Sequence, residues 1–578
     1  MGTSRKILIF GDDTRSFLAT VRSLGRAGLL VHAAPFDFQA PALKSRYVSR
    51  IHWLPQYLGE GQEWLQAVEA LLKTERFDLV IPCDERALLP LDKHREQLGT
   101  LAQLAIPDAR SLEFFFNKDR TRELARVLGV PVAVGRLIAT GDTAQTLIAE
   151  VGLPVAIKPC WSYTVDRLYA RNRVIIAADE LALTQALASS RGIPHYFEAF
   201  FDGIGCGLSV LANQGRVLQA FQHRRVHELH GSSYYRVSEE LSPFLMDAVA
   251  KMIDAARYTG VAMFEFKVNH ETANWILLEV NARPWGSLPL PVALGVDFPT
   301  LWYQLLVEGV EAPPFPYQAG IYGRNLMPDA RHVASLAGAL RRRPLEFARY
   351  VLAALGEYVR VLTGREVQDV FVADDRGPSW CELKNYLRDV ARYHGSKIPG
   401  AADLASRRDR RLLRRAIRRE SSGCSDIMFV CQGNICRSPL AAALLRREFR
   451  RESNSIRVRS YGNLPRRGAI SPTNAVAAAK PFGVDLRPHR SRHFAHAAAE
   501  RASVVVVFDD INRLWIEKRY PVLAAPIVML GSFSPHRGSR RAIADPDGGD
   551  LARFESIYSE IADAIAGLAK EIRRSRNA

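Results

Sequence analysis

Cys431 and Arg437 stand close together in VCQGNICRSP (430–439). The apolar run IMFV (427–430) ahead of them reads as a buried strand, and PLAAALLRREF (439–449) behind them as a helix. A loop that opens a helix turns backbone N–H groups inward, and the partial positive charge of the helix N-terminus favours an anion there. A thiol in such a cup suits nucleophilic attack on a bound phosphate. Arg437 can grip two phosphate oxygens at once. Gly433 and Asn434 are residue types that tolerate left-handed backbone. Pro439 is accepted in a first helical turn, and Ser438 can donate to the sulfur as phosphate leaves it. A nucleophile of this kind needs a general acid for the leaving alkoxide. IADPDGG (543–549) offers Asp545, ahead of a proline that stiffens its loop, with Asp547 as a competing carboxylate.

A second constellation lies in VAMFEFKVNHETANWILLEVNARPWGS (261–287), two apolar strands joined by a polar turn. Glu265 is on the first strand. Glu279 and Asn281 are on the second, where alternation puts them on one face, with Arg283 two residues further. Carboxylate and amide oxygens suit Mg²⁺. Lys118 in NKDRT and Lys158 in VAIKP can pair with nucleotide phosphates, and YFEAFF (196–201) adds Glu198 and a backbone edge. HRRVHELHGSSYYR (223–236) presents Arg224 and Arg225, open to an anionic substrate or to solvent.

These groups need elements to hold them. KILIF (6–10), a helix from Thr14 to Gly28, LLVHAAP (29–35) and FDLVIPC (77–83) before a further helix alternate as a parallel wound sheet does. Strands and helices continue less regularly to about residue 315. Residues 331–363 are helical and Arg-rich. Residues 396–424 read as a linker. Eight arginines fall within 407–419, and Leu412, Leu413, Ala416 and Ile417 lie at helical spacing. A solvated linker helix and an anionic-partner contact both fit. A fresh strand–loop–helix starts after 425. The expected fold class is therefore α/β multidomain.

A chain of 578 residues exceeds a single core, and 48% hydrophobic with 24% charged residues is ordinary for a soluble globular protein. The seven cysteines are scattered without a Cys-x-x-Cys, so neither a disulfide framework nor a zinc site follows from them. The first apolar run is too short for a signal peptide, and no stretch approaches the ~20 apolar residues of a membrane span. A cytoplasmic location without a membrane partner is expected. The net charge of +17 divides as +1 over residues 1–395, +6 over 396–424 and +10 over 425–578. An excess in the last third attracts anionic substrates. No aromatic-interleaved basic stripe supports nucleic acid.

Residues 425–578 resemble the low-molecular-weight protein tyrosine phosphatases, in which Cys-x5-Arg-Ser near the domain start works with Asp-Pro near its end. The likeness runs through SYGN (460–463), DLRPHRSR (485–492) and VVFDDINRL (506–514). It implies Cys431 as nucleophile, Arg437 as phosphate binder and Asp545 as general acid. Gly433, Asn434, Ile435, Cys436 and Ser438 would complete the phosphate loop. It also implies that Cys436 traps an oxidised Cys431 as a protective disulfide. The expected substrate is a phosphorylated protein or a small phosphate ester. Asp547 and Gly548 stand where the family usually has tyrosine, and Asn463-Leu464-Pro465 offers no aromatic wall. No cysteine follows Cys436, so the arsenate-reducing sister group lacks its residues here.

Residues 1–315 resemble the carbamoyl-phosphate-synthase-like branch of the ATP-grasp superfamily. This implies a preATP-grasp Rossmann-like domain at 1–110 and a nucleotide-binding domain at 111–315. A helical appendage at 316–395, the Arg-rich linker at 396–424 and the phosphatase at 425–578 would follow. Lys118 and Lys158 would bind the phosphates of ATP, and Glu198 with the backbone near Phe201 would hold adenine. Glu265, Glu279 and Asn281 would ligate Mg²⁺ or Mn²⁺, and Arg283 would stabilise the transferring phosphoryl group. Such an enzyme activates a small carboxylate as an acyl phosphate and passes it to an amine or similar nucleophile. CWSYTVDRLYARNR (160–173) has no glycine where that family often has a glycine-rich phosphate loop. A non-catalytic ATP sensor or scaffold regulating the phosphatase is therefore the alternative.

Overall fold

The computed structural model describes residues 5–169, 171–190, 193–229, 232–340, 343–395, 400–419, 424–450, 456–464, 468–520, 522–535 and 541–576. Pro465 and parts of the expected loop and linker segments (Ala170, 230–231, 396–399 and 420–423) lie outside these residues. The chain forms two compact units, Met1–Phe36 with Ala40–Tyr386, and Asp37–Gln39 with Leu387–Ala578. Among the described residues no helix is long and apolar enough to cross a membrane.

The first unit begins with a parallel five-stranded sheet. Its spatial order is Val48–Ile51, Leu30–Ala34, Lys6–Phe10, Leu79–Pro82, Gln103–Leu104. Ile7 and Ile9 join one buried cluster, Leu8 and Phe10 another. Burial on both faces explains why KILIF is apolar without alternation. A small antiparallel sheet follows, ordered Gly135–Leu137, His195–Ala199, Val155–Pro159, Ile175–Ala177.

The main sheet of this unit has seven strands. The order is Trp275–Asn281, Gly260–Val268, Ile204–Asn213, Arg216–Leu229, Ser232–Glu239, Tyr322–Arg324, Glu366–Gln368. The first six are antiparallel neighbours, and the last pairs parallel. Residues 316–395 are thus more than a helical appendage: they supply two strands as well as the helices Leu326–Leu340, Pro344–Leu362 and Gly377–Gly395. Short strands of three residues carry too little periodicity to be read from sequence.

Buried ion pairs fasten this segment. Arg236 and Asp369 are both fully buried and meet at 2.7 Å. Arg22 donates from Nε to Asp375 at 2.8 Å, from Nη1 to Asp369 O and from Nη2 to Val370 O. Arg324 is enclosed by Glu366, Asp329, Tyr235 and Tyr358. His227 lies beside Asp329 at 3.0 Å and Glu357 at 3.5 Å, with the His332 ring tilted against it.

The second unit holds a parallel four-stranded sheet, ordered Ile456–Gly462, Ser425–Cys431, Val504–Val507, Ile527–Met529. Ile427, Phe429 and Cys431 face a cluster shared with the helices Arg437–Glu448 and Leu551–Arg576; Met428 and Val430 face the opposite one. The Arg-rich segment departs from its expectation as a linker. It forms the helix Ala401–Arg419, whose Leu413 and Ile417 sit inside the first of these clusters. Its arginines fan outward while the apolar stripe is covered, so charge density on one face concealed a packed helix.

Candidate active sites

In the second unit the strand Ser425–Cys431 delivers its last residue to the loop before the helix Arg437–Glu448. Three groups converge on Cys431 Sγ or its neighbour. Asn434 N–H donates to the sulfur at 3.3 Å, Ser438 Oγ lies 3.1 Å from it, and Asn434 Nδ2 donates to Ser438 Oγ at 2.8 Å. Asn434 has φ 53°, the left-handed conformation for which Asn is suited. Gly433 does not share it; of the pair, Asn434 alone makes the turn. Arg492 N–H donates to Asn434 Oδ1 at 2.8 Å, and the His489 ring meets Asn434 O at 2.7 Å. Gly462, at the end of the neighbouring strand, lies against this loop. A Cβ there would stand 3.0 Å from Asn434 N and Gln432 O.

Arg437 is buried at 1% exposure. Its Nη1 donates to Asp509 at 2.6 Å and to Ile543 O at 3.0 Å, and its Nη2 donates to Asp545. Nothing among the described residues accepts from its buried Nε. A buried guanidinium donor without an acceptor is costly unless a ligand supplies one. Nε and Nη2 form one edge of the fork, the edge that grips an oxyanion. The cup opens into a cavity of about 240 Å³ lined by Cys431, Gln432, Gly433, Ile435, Cys436, Leu464, Asp545 and Asp547. Cys436 Sγ lies 3.9 Å from Asp547 Oδ1. Burial, then Asp547 and Asp545, push the Cys436 thiol well above the usual range. Tyr558, whose hydroxyl donates to Cys436 O at 3.1 Å, supports the loop from the long helix.

Asp509 is the residue whose part the sequence left unread. It lies in VVFDDINRL, but its role needs a partner 72 residues away. One oxygen caps the helix Asp510–Arg519 through Asn512 N–H, and the other holds Arg437.

In the first unit Glu265 and Glu279 sit directly opposite each other on adjacent strands, and Asn281 lies on the same edge. Asn281 Nδ2 donates to Glu265 at 3.0 Å, and Arg283 Nη2 donates to Asn281 Oδ1 at 3.2 Å and to Glu85 at 2.7 Å. Lys118 pairs with Glu279. Arg225 pairs with Glu265 at 2.5 Å, which takes Arg225 away from the solvated alternative. Two facing carboxylates share a field and split their titration. Burial raises Glu265, with Arg225 opposing and Glu279 reinforcing. Burial also opposes ionisation of Glu279, but Lys118, with Lys158 and Arg171 beyond it, brings it down to about 2.

Lys158 meets Glu198 at 2.5 Å, and Arg122 pairs with the other side of the same carboxylate. The Glu198 side chain is thus occupied by cations rather than facing open space. Phe201 O accepts from Lys267 Nζ at 3.2 Å. A cleft of about 20 Å³ lies among Glu85, Lys118, Trp161, Tyr163, Glu279 and Arg283. Trp161, Ser162 and Tyr163 bring the glycine-free loop onto this cleft, and Asn172 ties the loop by donating to Trp161 O at 3.0 Å and Ser162 O at 2.9 Å.

Among the described residues no group of three His, Cys, Asp or Glu side chains is arranged to hold a metal ion. Two carboxylates and one amide oxygen still fit Mg²⁺, which keeps waters and takes phosphate oxygens as its remaining ligands. The facing Glu265 and Glu279, each now neutralised by a cation, have the donor chemistry for it.

Comparison with known proteins adds to this geometry. Residues 426–578 match the family model "Low molecular weight phosphotyrosine protein phosphatase". A probable low molecular weight protein-tyrosine-phosphatase EpsP of Ralstonia nicotianae is 30% identical over 147 residues, covering 25% of this chain and 95% of that protein. A protein-arginine-phosphatase of Bacillus subtilis is 28% identical over 151 residues, covering 26% of this chain and 99% of that one. Among solved structures, an L-amino acid ligase from Bacillus licheniformis superposes with a TM-score of 0.42 at 20% identity, over 54% of this chain and 78% of that one.

Proposed function

Because the chain belongs, through residues 426–578, to the low molecular weight phosphotyrosine protein phosphatase family, we propose that this unit hydrolyses phosphate monoesters through a cysteinyl-phosphate intermediate. The observation that carries the reading is the orphaned Nε of buried Arg437 beside Cys431. A phosphate seated in the loop accepts from Nε and Nη2, and Asp545 gives up Nη2 to it. Asp509 and Ile543 O keep Nη1 throughout, so the guanidinium does not turn. Cys431 Sγ attacks phosphorus as the bond to the leaving oxygen breaks. The displaced Asp545 carboxylate takes up the proton of the incoming phosphate monoanion and donates it to that oxygen, then takes a proton from the water that cleaves the S–P bond. Ser438 and Asn434 N–H support the sulfur when it departs.

Aryl phosphates test this. Cys431→Ser should abolish turnover. Asp545→Asn should slow phenyl phosphate by roughly 10²–10⁴-fold and p-nitrophenyl phosphate far less. An Asp547→Asn variant that alone steepened the leaving-group dependence would reassign the acid.

A second substrate reading rests on Asp547 and Leu464. They line the pocket where an aromatic wall would stack a phosphotyrosine ring. A carboxylate there favours a cationic leaving group, such as the guanidinium of phosphoarginine. Relative turnover of phosphoarginine and phosphotyrosine peptides decides between them, with Asp547→Tyr expected to move preference toward phosphotyrosine.

For the first unit we infer an Mg-ATP-dependent ligase that activates a small carboxylate for attack by an amine or similar nucleophile. The facing Glu265 and Glu279 support this, with Asn281, Arg283 and Lys118 around them. Mg²⁺, held by Glu265, Glu279 and Asn281, would neutralise phosphate charge. Lys118 and Lys158 would exchange their glutamate partners for phosphate oxygens, and Arg283, whose Nε is also buried without an acceptor among the described residues, would face the transferring group. ADP release with ATP, Mg²⁺ and pooled carboxylates and amines tests turnover. ATP binding without ADP release would favour the sensor reading instead. Glu279→Ala should lose Mg-ATP binding and leave hydrolysis of p-nitrophenyl phosphate unchanged.

A further inference from the structure

The family match begins at residue 426, yet the helix Ala401–Arg419 upstream of it is built into the same core. On that helix Asp409 is buried at 1% exposure, where a carboxylate persists only when paired. Its Oδ2 accepts from Arg541 Nη2 at 2.6 Å, Ser532 Oγ at 2.7 Å and Met529 N–H at 3.3 Å. Arg541 Nε donates to the same Ser532 Oγ at 3.1 Å, and Arg410 Nε donates to Ser532 O at 3.1 Å.

Arg541 opens the segment that carries Asp545. Two residues on, Ile543 is pinned on both sides. Its N–H donates to Phe508 O at 2.7 Å, and its carbonyl accepts from Arg437 Nη1 at 3.0 Å. Two residues further, Asp545 reaches Arg437, and its carbonyl accepts from Arg553 Nη2 at 3.1 Å. When phosphate takes Arg437 Nη2, the Asp545 side chain loses that tether. Its placement over the leaving oxygen then depends on how firmly the segment is held at its start.

We infer that Asp409 is a positioning residue for phosphate hydrolysis. Through the ion pair of its buried carboxylate with partly exposed Arg541 it braces the 541–545 segment, so that Asp545, once released from Arg437, meets the leaving oxygen. The brace comes from residues outside the matched family segment and gives the upstream helix a part in proton transfer. This rests on the reading of Asp545 as the general acid.

The test uses the full chain and four variants: Asp409→Asn, Arg541→Gln, Asp545→Asn, and Asp409→Asn combined with Asp545→Asn. Each is assayed on phenyl and p-nitrophenyl phosphate, with inorganic phosphate as competitive inhibitor. Misplacing a reacting group by about 1 Å costs up to about a hundredfold. Asp409→Asn should therefore slow phenyl phosphate by about tenfold or more, leave p-nitrophenyl phosphate and phosphate inhibition nearly unchanged, and have no further effect once Asp545 is Asn. If Asp409→Asn does not fold, Arg541→Gln must show the same selective loss. Equal loss on both esters, or an added loss in the Asp545→Asn background, overturns the brace and leaves Asp409 a stabilising residue. No leaving-group dependence in Asp545→Asn itself overturns the acid assignment first, and the brace with it.

Discussion

Arg437 divides its guanidinium between two carboxylates with different fates. Asp509 holds Nη1 from the cap of a helix and has no reason to leave. Asp545 holds Nη2, which an oxyanion needs. Substrate therefore competes with an internal anion. Asp545→Asn removes that competitor's charge and should tighten inhibition by inorganic phosphate by about ten- to a hundredfold, the scale of one charge-assisted hydrogen bond, even as turnover falls. Unchanged phosphate inhibition in this variant would mean that Asp545 does not guard Arg437. Cys431, Arg437, Asn434 and Asp545 were all legible in the sequence, because a strand, a tight loop and a helix start confine three of them to seven residues and Asp-Pro marks the fourth. Asp509 and Arg225 were not given these roles, since their meaning lies in partners 72 and 40 positions away. Spacing along the chain does not record such pairs. Glu198 was expected to hold adenine; its carboxylate lies between Lys158 and Arg122, contacts that only the packing of the small antiparallel sheet determines.

At the scale of elements, two features bear on stability. His227, on the strand Arg216–Leu229, is brought up to about 9 by hydrogen bonds to Asp329 and Glu357. Burial opposes the shift, and Arg324, Tyr235 and His332 complete its surroundings. Its ordinary value is about 6.5. A group raised on folding stabilises fully below that value, and the benefit is lost as pH rises through about 9. The wild-type chain should thus have a higher melting temperature than His227→Gln at pH 6, with the gap closing by about pH 9.5. A gap that stays constant would show that the imidazole is packed but uncharged. In the second unit, Leu413 of the helix Ala401–Arg419 has no exposed surface. Leu413→Ala should destabilise that unit by about 2–5 kcal/mol in a denaturant titration. A solvated linker residue would cost almost nothing. The helical period of Leu412, Leu413, Ala416 and Ile417 was visible in the sequence. What they pack on was not, because the surrounding arginines describe only the outward face.

At the scale of the whole molecule, the α/β alternation and the fresh start after residue 425 were readable from apolar runs and punctuation. The seven-stranded sheet was not, since two of its strands come from residues 322–324 and 366–368, well beyond the apparent end of the nucleotide-binding lobes. That continuity has a practical consequence for dissecting the protein. A fragment stopped at 315 would strip the outer strands, leaving Ser232–Glu239 as a bare edge, a template for intermolecular pairing. It would also strand Arg236 and Arg22 without Asp369 and Asp375, and an unmatched buried charge costs about 3–5 kcal/mol. Such a fragment should precipitate or elute as aggregates, whereas one extended to 395 should run as a discrete species by size exclusion. Equal solubility of the two would show that the outer strands are ornament rather than wall. An investigator seeking the ligase reaction in a piece trimmed to the apparent nucleotide-binding lobes would therefore record inactivity caused by collapse, and mistake a cutting error for a missing chemistry.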